Sequence, residues 1–330
     1  MAERQLPSSI AVIIVNYGTA DLSAEAVESV LSADHRDHPV EVHLLDNASP
    51  GHDAETLSRI HRDRGWGERV TLWPERENHG FGRGNNVVLH ALAKRDTPPD
   101  YVFLLNPDAA LENEAIAILA DRLDAEPDVA AVGASVTQPS GNPVSASFRF
   151  PTARSEFVVA MNFGPVERLF DDVRVSLPPD QPDGPVDWVT GAAVMFRLSD
   201  VMAVGGFDPD FFLYFEEVEL MHRLTRAGHR ILHVPKARVR HVEGAATEIG
   251  GGRPRVARRP AYWYRSWRLY HLKTRGRRGA IGAGLAAFTG ALLNVPVAVL
   301  RRNPMLAPKG YYADFPKMVL WPLLTGRDRS

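Results

Sequence analysis

Over its first 136 residues the chain alternates short apolar runs with stretches of helical character, and few folds satisfy that alternation. The runs Ile10–Val15, Val40–Leu45, Arg69–Trp73, Tyr101–Leu105 and Val129–Val136 are too short for helices and rich in strand formers. Between them Asp21–Ser32, Ala54–Asp63, Gly84–Lys94 and Asn113–Ala125 read as helices. In the first of these, Leu22, Ala26, Val27, Val30 and Leu31 fall on one face. Strands joined through helices make right-handed crossovers, so the expected fold is α/β, a mostly parallel central sheet flanked by helices.

In such sheets ligands bind beyond the carboxyl ends of the strands. That rule selects four polar loops: Asn16-Tyr17, Asp46 to Ser49, Glu77 to Asn86, and Asn106-Pro107-Asp108. The last follows the uncharged run YVFLL. Pro107 lacks an N–H and ends the strand, which leaves Asp108 just past it. A turn or helix N-cap would use the same residues; convergence of four such loops favours a functional carboxylate. The segment NHGFGRGNN, residues 78–86, follows a strand and opens a helix. Its glycines would admit a phosphate or sugar against the backbone, or simply form a glycine-rich turn. Its spacing matches neither the dinucleotide fingerprint nor a Walker A loop.

Residues 137–185 are rich in Pro, Gly and Ser and read as irregular structure with short strands. Val186–Phe196 is apolar, interrupted at Thr190-Gly191-Ala192. Glu216–Ala227 reads as a helix ending at Gly228, and Arg230–Val234 and Ala237–His241 as strands split by Pro235. FDPDFFLYFEEVELMHR, residues 207–223, sets Glu216, Glu217 and Glu219 after an aromatic run. Aromatic faces pack on sugar rings and a neighbouring carboxylate serves as a general base; a helix-start charge effect is the plainer alternative. On a helix Glu216 and Glu219 share a face and Glu217 points elsewhere. His241 alone would be structural, unless a metal is expected beside it.

The chain has no cysteine, which excludes disulfides, thiolate metal sites and thiol nucleophiles. MAERQLPSSI is polar and lacks a secretory apolar region, so the expected location is cytoplasmic. The net charge of −2 hides a split: residues 249–330 sum to +14 and residues 1–248 to −16. A basic tail suits an anionic partner. No nucleic-acid motif accompanies it, whereas PAYWYRSWRLYHLKTR, residues 260–275, interleaves aromatic and basic residues as interfacial segments do. Next comes Gly279–Leu300, 22 residues without a charge between Arg277-Arg278 and Arg301-Arg302. It is long enough to span a bilayer, but its Gly and Ala content, Asn294 and Pro296 favour an in-plane or re-entrant helical hairpin. The expected organisation is a main α/β domain over residues 1–248, in halves of about 10–136 and about 137–248, then a helical tail over 249–330.

VNYGT, LLDNAS, ENHGFGRGNN, LLNPDAAL, VTGAAVMFR, GGFDPDFFLYFEEVEL and RVRHVEG occur in this order. Together they resemble glycosyltransferase family 2, and within it the rhamnosyltransferase-like branch that builds cell-surface polysaccharide. The resemblance covers roughly residues 10–245. It implies a GT-A fold and inverting transfer from a nucleotide-diphosphate sugar, dTDP-L-rhamnose ahead of a UDP-sugar, with Mg²⁺ or Mn²⁺. The acceptor would be a glycan or a polyprenyl-diphosphate-linked saccharide, and the enzyme would sit on the inner face of the cytoplasmic membrane. By the same resemblance Asn16 and Tyr17 line the nucleotide pocket and Asp46 contacts the base. Asn78, Gly80 and Asn85 lie along the donor phosphates and sugar. Asn106 and Asp108 occupy the Asp-x-Asp position, with Asp108 and His241 as metal ligands. Gly191 and Ala192 flank the acceptor, and Glu217 is the base. Two departures stand out: Asn106 replaces the first aspartate, and Glu216-Glu217-Val218-Glu219 replaces Glu-Asp-x-Asp. The rivals are a sugar-phosphate nucleotidyltransferase, disfavoured because VNYGTADLS has no basic residue, and a non-catalytic nucleotide-sugar binder.

Overall fold

A computed structural model describes residues 7–242, 257–302 and 307–326. The chain forms two compact units, Met1–Phe148 with Leu177–Pro209 and Leu220–Gly250, and Arg149–Ser176 with Asp210–Glu219 and Gly251–Ser330.

The first unit begins β1 (Ile10–Asn16), α1 (Ala20–Ser32), β2 (Val40–Asp46), α2 (Asp53–Asp63), β3 (Val70–Pro74), α3 (Gly80–Ala93) and β4 (Tyr101–Leu105). It continues β5 (Ala109–Leu111), α4 (Ala115–Ala125), β6 (Val129–Thr137), β7 (Pro143–Val144) and β8 (Ser147–Phe148). The second unit interposes α5 (Ala153–Met161) and α6 (Gly164–Leu169). Then follow β9 (Gly184–Val186), β10 (Trp188–Val189), β11 (Ala193–Arg197), α7 (Leu198–Ala203), α8 (Glu216–Arg226) and β12 (Arg230–His241).

The main sheet runs β3-β2-β1-β4-β11-β6-β12-β5. β3, β2, β1 and β4 pair in parallel, as their crossover helices require. Beyond β4 the sheet is mixed: β11 enters antiparallel to β4 and β6, and β12 is parallel to β6 but antiparallel to β5. β1 is buried along its whole length because both sheet faces are covered. Ile10, Val12 and Ile14 join the core with Ala24, Val27 and Leu119, while Ala11 and Ile13 join the opposite core with Val88, Leu92 and Leu220.

In the first unit three expectations shift. β5 is an additional strand of three residues, too short to show periodicity. The helix expected from Gly84 starts at Gly80, which takes φ +74°. The two strands expected around Pro235 are one strand, β12, whose pairing with β6 slips between Val234 and Arg238.

In the second unit α5 starts with a capping box between Thr152 and Ser155. α9 (Ala261–Leu300) breaks at Gly276, φ +65°. α10 (Tyr311–Phe315), a π turn over Pro316–Leu320 and α11 (Trp321–Thr325) follow. Residues 279–300 form one helical run, not the hairpin expected. The reason is packing: Ala280, Ala283, Ala287 and Ala291 are buried with Phe315, Val319 and Leu323. A Cβ on Gly290 would lie 2.5 Å from the Phe157 carbonyl oxygen, so α5 and α9 touch nearly backbone to backbone. Asn294, out of place in an apolar run, donates to the Met161 carbonyl at 2.8 Å. Arg277 donates to the carbonyls of Leu323 and Leu324 at the end of α11 (2.8 and 2.9 Å).

Candidate donor site and candidate base

In the first unit the loops after β1 and β2 are tied together by Asn16. Its Nδ2 donates to Asp46 Oδ1 (2.8 Å), Ser49 Oγ (3.1 Å) and Asp53 Oδ2 (2.9 Å). Its Oδ1 accepts from the Thr19 N–H and the hydroxyls of Thr19 and Ser23. Asn16 is fully buried with both ends of its amide engaged, so it holds the loop rather than presenting a free amide. Ser49 donates to Asp46 Oδ1 at 2.5 Å and accepts from the Gly18 N–H. The neighbouring Tyr17 ring is 38% exposed, open to a planar ligand beside this web.

Asn47, which lies in a selected loop but is given no role of its own by the sequence, organises the next loop. Its Nδ2 donates to Asn78 Oδ1 (3.2 Å) and the Gly80 carbonyl (3.0 Å), and its Oδ1 accepts from the His79 N–H (2.9 Å). Asn78 Oδ1 also accepts from the Gly80 N–H at 2.8 Å. Two of the glycines face the protein itself. A Cβ on Gly82 would meet Phe207 at 3.1 Å, and one on Gly84 would meet Val15 at 3.3 Å. Asn86, also unforeseen, grips the Phe207 backbone both ways, donating to its carbonyl (2.7 Å) and accepting from its N–H (2.9 Å). Asn85 donates to the Phe81 carbonyl at 2.9 Å, and its buried Oδ1 has no partner among the described residues.

At the ends of β4 and β12, Asn106, Asp108 and His241 come together. His241 Nε2 lies 2.9 Å from Asp108 Oδ1 and 3.2 Å from Asn106 Nδ2. Asp108 is buried, and its backbone carbonyl accepts from the Val242 N–H at 2.9 Å. One ring nitrogen carries either a proton or a lone pair, so it cannot serve carboxylate and amide N–H at once. Turning the Asn106 amide over lets a protonated Nε2 donate to both neighbours, and in that orientation the amide oxygen, the carboxylate oxygen and a deprotonated Nε2 would together offer a divalent cation three ligands. The donor set therefore fits a divalent metal. His38, Asp121 and Asp124 form another potential ligand group. There Asp121 pairs with Arg36, and Asp124 accepts from Ser8 and Tyr101.

Gly191 and Ala192 are both buried, and the Ala192 carbonyl accepts from the Asn106 N–H at 2.9 Å.

In the second unit α8 opens with its three carboxylates. Glu216 and Glu219 are 2% and 3% exposed and Glu217 is half-buried, in keeping with the i,i+3 face. Burial, then the Glu217 charge, pushes the Glu216 carboxyl well above its ordinary value; burial raises Glu217 too. Glu216 Oε2 has no partner among the described residues. The preceding residues, Tyr214 and Phe215, sit at φ +72° and +69°, unusual for side chains of this bulk and costing about 1–3 kcal/mol each. α9 holds them there. Tyr214 stacks on Tyr262, and Phe215 packs against Trp263 and Tyr270 with centroids 5.9 and 5.5 Å away. Ser266 donates to the Leu213 carbonyl at 2.9 Å. Backbone strain of this kind clusters at functional sites.

A family model described as "Glycosyltransferase like family 2" matches residues 7–258. The N-acetylglucosaminyl-diphospho-decaprenol L-rhamnosyltransferase of Mycobacterium tuberculosis (strain ATCC 25618 / H37Rv) is 29% identical over 245 residues, 72% of this chain and 76% of that protein. Among solved structures, the mannosyltransferase PcManGT of Pyrobaculum calidifontis, in complex with GDP-Man and Mn²⁺, aligns at TM-score 0.51 and 16% identity over 98% of this chain and 89% of its own. GalNAc-T7 with UDP, GalNAc and Mn²⁺ aligns at TM-score 0.56 and 15% identity over 90% of this chain; the match spans 59% of the GalNAc-T7 chain.

Proposed function

We propose a specific reaction for this chain, which belongs to glycosyltransferase family 2, has the GT-A fold and is a glycosyltransferase: transfer of L-rhamnose, with inversion, from dTDP-L-rhamnose to a saccharide on a polyprenyl diphosphate. The family sets aside the nucleotidyltransferase and non-catalytic readings. The sugar and the acceptor class rest on the mycobacterial relative, named for rhamnosyl transfer to N-acetylglucosaminyl-diphospho-decaprenol.

The observation that carries the donor assignment is the contact among Asn106, Asp108 and His241. Asp108 and His241, with Asn106, would hold Mg²⁺ or Mn²⁺, which when bound neutralises the diphosphate as it leaves. Tyr17 and Asp46 bound the nucleotide side, with Asn16 as their internal brace, and Asn78, Gly80 and Asn85 the phosphate and sugar side. Glu217 is the general base. It takes the proton from an acceptor hydroxyl as that oxygen bonds to the anomeric carbon and the bond to the diphosphate oxygen breaks. Its raised pKa makes the carboxylate a stronger base than an ordinary glutamate. A lipid-linked acceptor also supports a cytoplasmic enzyme, peripheral on the inner face of the cytoplasmic membrane, with residues 1–248 catalytic and residues 249–330 serving the membrane.

The test is calorimetry with dTDP, UDP and GDP, in Mn²⁺ or Mg²⁺ and then chelator, on wild type and Asp108→Ala. Metal-dependent dTDP binding that disappears in the variant is expected. Binding of dTDP that ignores both chelator and substitution would overturn the metal assignment, and preference for UDP or GDP would overturn the donor.

A further inference from the structure

α9 distributes its apolar residues in the opposite sense to a soluble helix. Its small residues, Ala280, Ala283, Gly284, Ala287, Gly290 and Ala291, face inward. Its leucines face out, while Ile281 and Phe288 pack inward: Leu285, Leu292 and Leu293 are 49%, 48% and 46% exposed, and Val299 and Leu300 reach 66% and 84%. Leu285, Leu292 and Val299 recur every seven residues, with Leu293 and Leu300 beside them, so they make one stripe about 22 Å long. Water gives no reason to keep leucines outside and alanines inside; lipid does. The stripe ends at exposed arginines, Arg278 before it and Arg301-Arg302 after it. On α11, whose Leu323 packs into the same small-residue face, Trp321 is 58% exposed.

We propose that this stripe lies in the plane of an anionic bilayer, with the leucines and valine in the acyl boundary and the terminal arginines on lipid phosphates. The inference rests on, and sharpens, the membrane assignment in the proposed function. Packing decides between lying flat and crossing. Tyr312 donates to the Ala291 carbonyl at 3.0 Å and Phe315 stacks on Phe288 at 6.3 Å, so residues 312–315 run beside the middle of the uncharged segment. With them come Asp314, paired to Arg258 at 2.6 Å, and Lys317. A crossing α9 would carry those charges to the bilayer centre. An in-plane helix keeps one face on its own unit and the other in lipid.

Flotation of the full-length protein with phosphatidylcholine vesicles, with and without phosphatidylglycerol, tests this. Wild type and the exposed-surface control Lys94→Glu should float with the anionic vesicles and less with the neutral ones. Leu292→Glu/Leu293→Glu should weaken flotation at least about tenfold, and Arg301→Glu/Arg302→Glu should abolish the preference for anionic lipid. Unchanged flotation of the leucine variant would overturn the proposal. So would wild type that ignores vesicles and sediments as a dimer that the leucine variant dissociates, because the stripe would then be a self-association face. Calorimetry with dTDP on the same variants keeps the two readings apart. Retained nucleotide binding shows a folded first unit, whereas loss of dTDP binding in wild type would sink the donor assignment and leave the docking face standing.

Discussion

Asp108 stands out by its place in the chain. A carboxylate after an uncharged strand, with Pro107 ending the ladder, reads equally as a turn or N-cap; the convergence of four polar loops favours function, and the structure brings Asn106 and His241 to it. Asn47 and Asn86 disclosed nothing, because their roles lie in partners 31 and 121 positions away. Asn86→Ala would strand the buried N–H and carbonyl of Phe207, and urea unfolding should show a loss of about 2–4 kcal/mol. The carboxylates of α8 make a pH prediction. Glu216 has a raised pKa in the folded state, so its stabilising contribution is complete below the ordinary value of 4.5 and is lost as pH rises through the raised value. Glu216→Gln should therefore melt higher than wild type in alkaline buffer, with the gap closing in acid. Glu217→Gln should lower kcat by about 10²–10⁴-fold with little change in dTDP affinity. In wild type, kcat/KM should fall as pH drops through the raised Glu217 value.

At the scale of elements, apolar runs and periodicity identified the strands and helices of the first 136 residues except β5, but not the purpose of the glycine run. Gly82 and Gly84 look from sequence like backbone laid open to a ligand. In the fold they admit Phe207 and Val15, contacts no local pattern encodes. Two adjacent aromatics in left-handed conformation were equally illegible, since Tyr and Phe disfavour it and only α9 overrules them. Trp263→Ala should thus lower kcat while leaving nucleotide affinity intact, measured by steady-state kinetics beside calorimetry. For α9 itself the sequence showed an apolar run without a face, because a helix apolar all round carries no moment to read. Gly290→Ala would push a methyl against the Phe157 carbonyl and part α5 from α9; a loss of about 1–3 kcal/mol is expected in thermal melts.

For the molecule as a whole, charge is partitioned along the chain, −16 in residues 1–248 and +14 beyond. Mixed lipid and electrostatic docking predicts that raising salt from about 0.05 to about 0.5 M weakens binding to anionic vesicles, as the Debye length shrinks, and leaves binding to neutral vesicles nearly unchanged. Truncating residues 257–330, the obvious way to ask what the tail does, would also remove the partners of Tyr214 and Phe215, so point variants answer more cleanly. Chain length carries its own consequence. In β12, Val234 stands opposite Ala134 but Arg238 stands opposite Ser135, so β12 holds surplus residues that β6 lacks. Beyond the slip Ala237, Val239 and His241 share one face, and Arg240 takes the other. One residue more between Val234 and Arg238 would exchange those faces and put Arg240 where His241 meets Asp108. The length of Pro235-Lys236-Ala237 is thus a constraint separate from its composition: inserting a single codon there should break the contact of His241 with Asp108 even with these three residues kept.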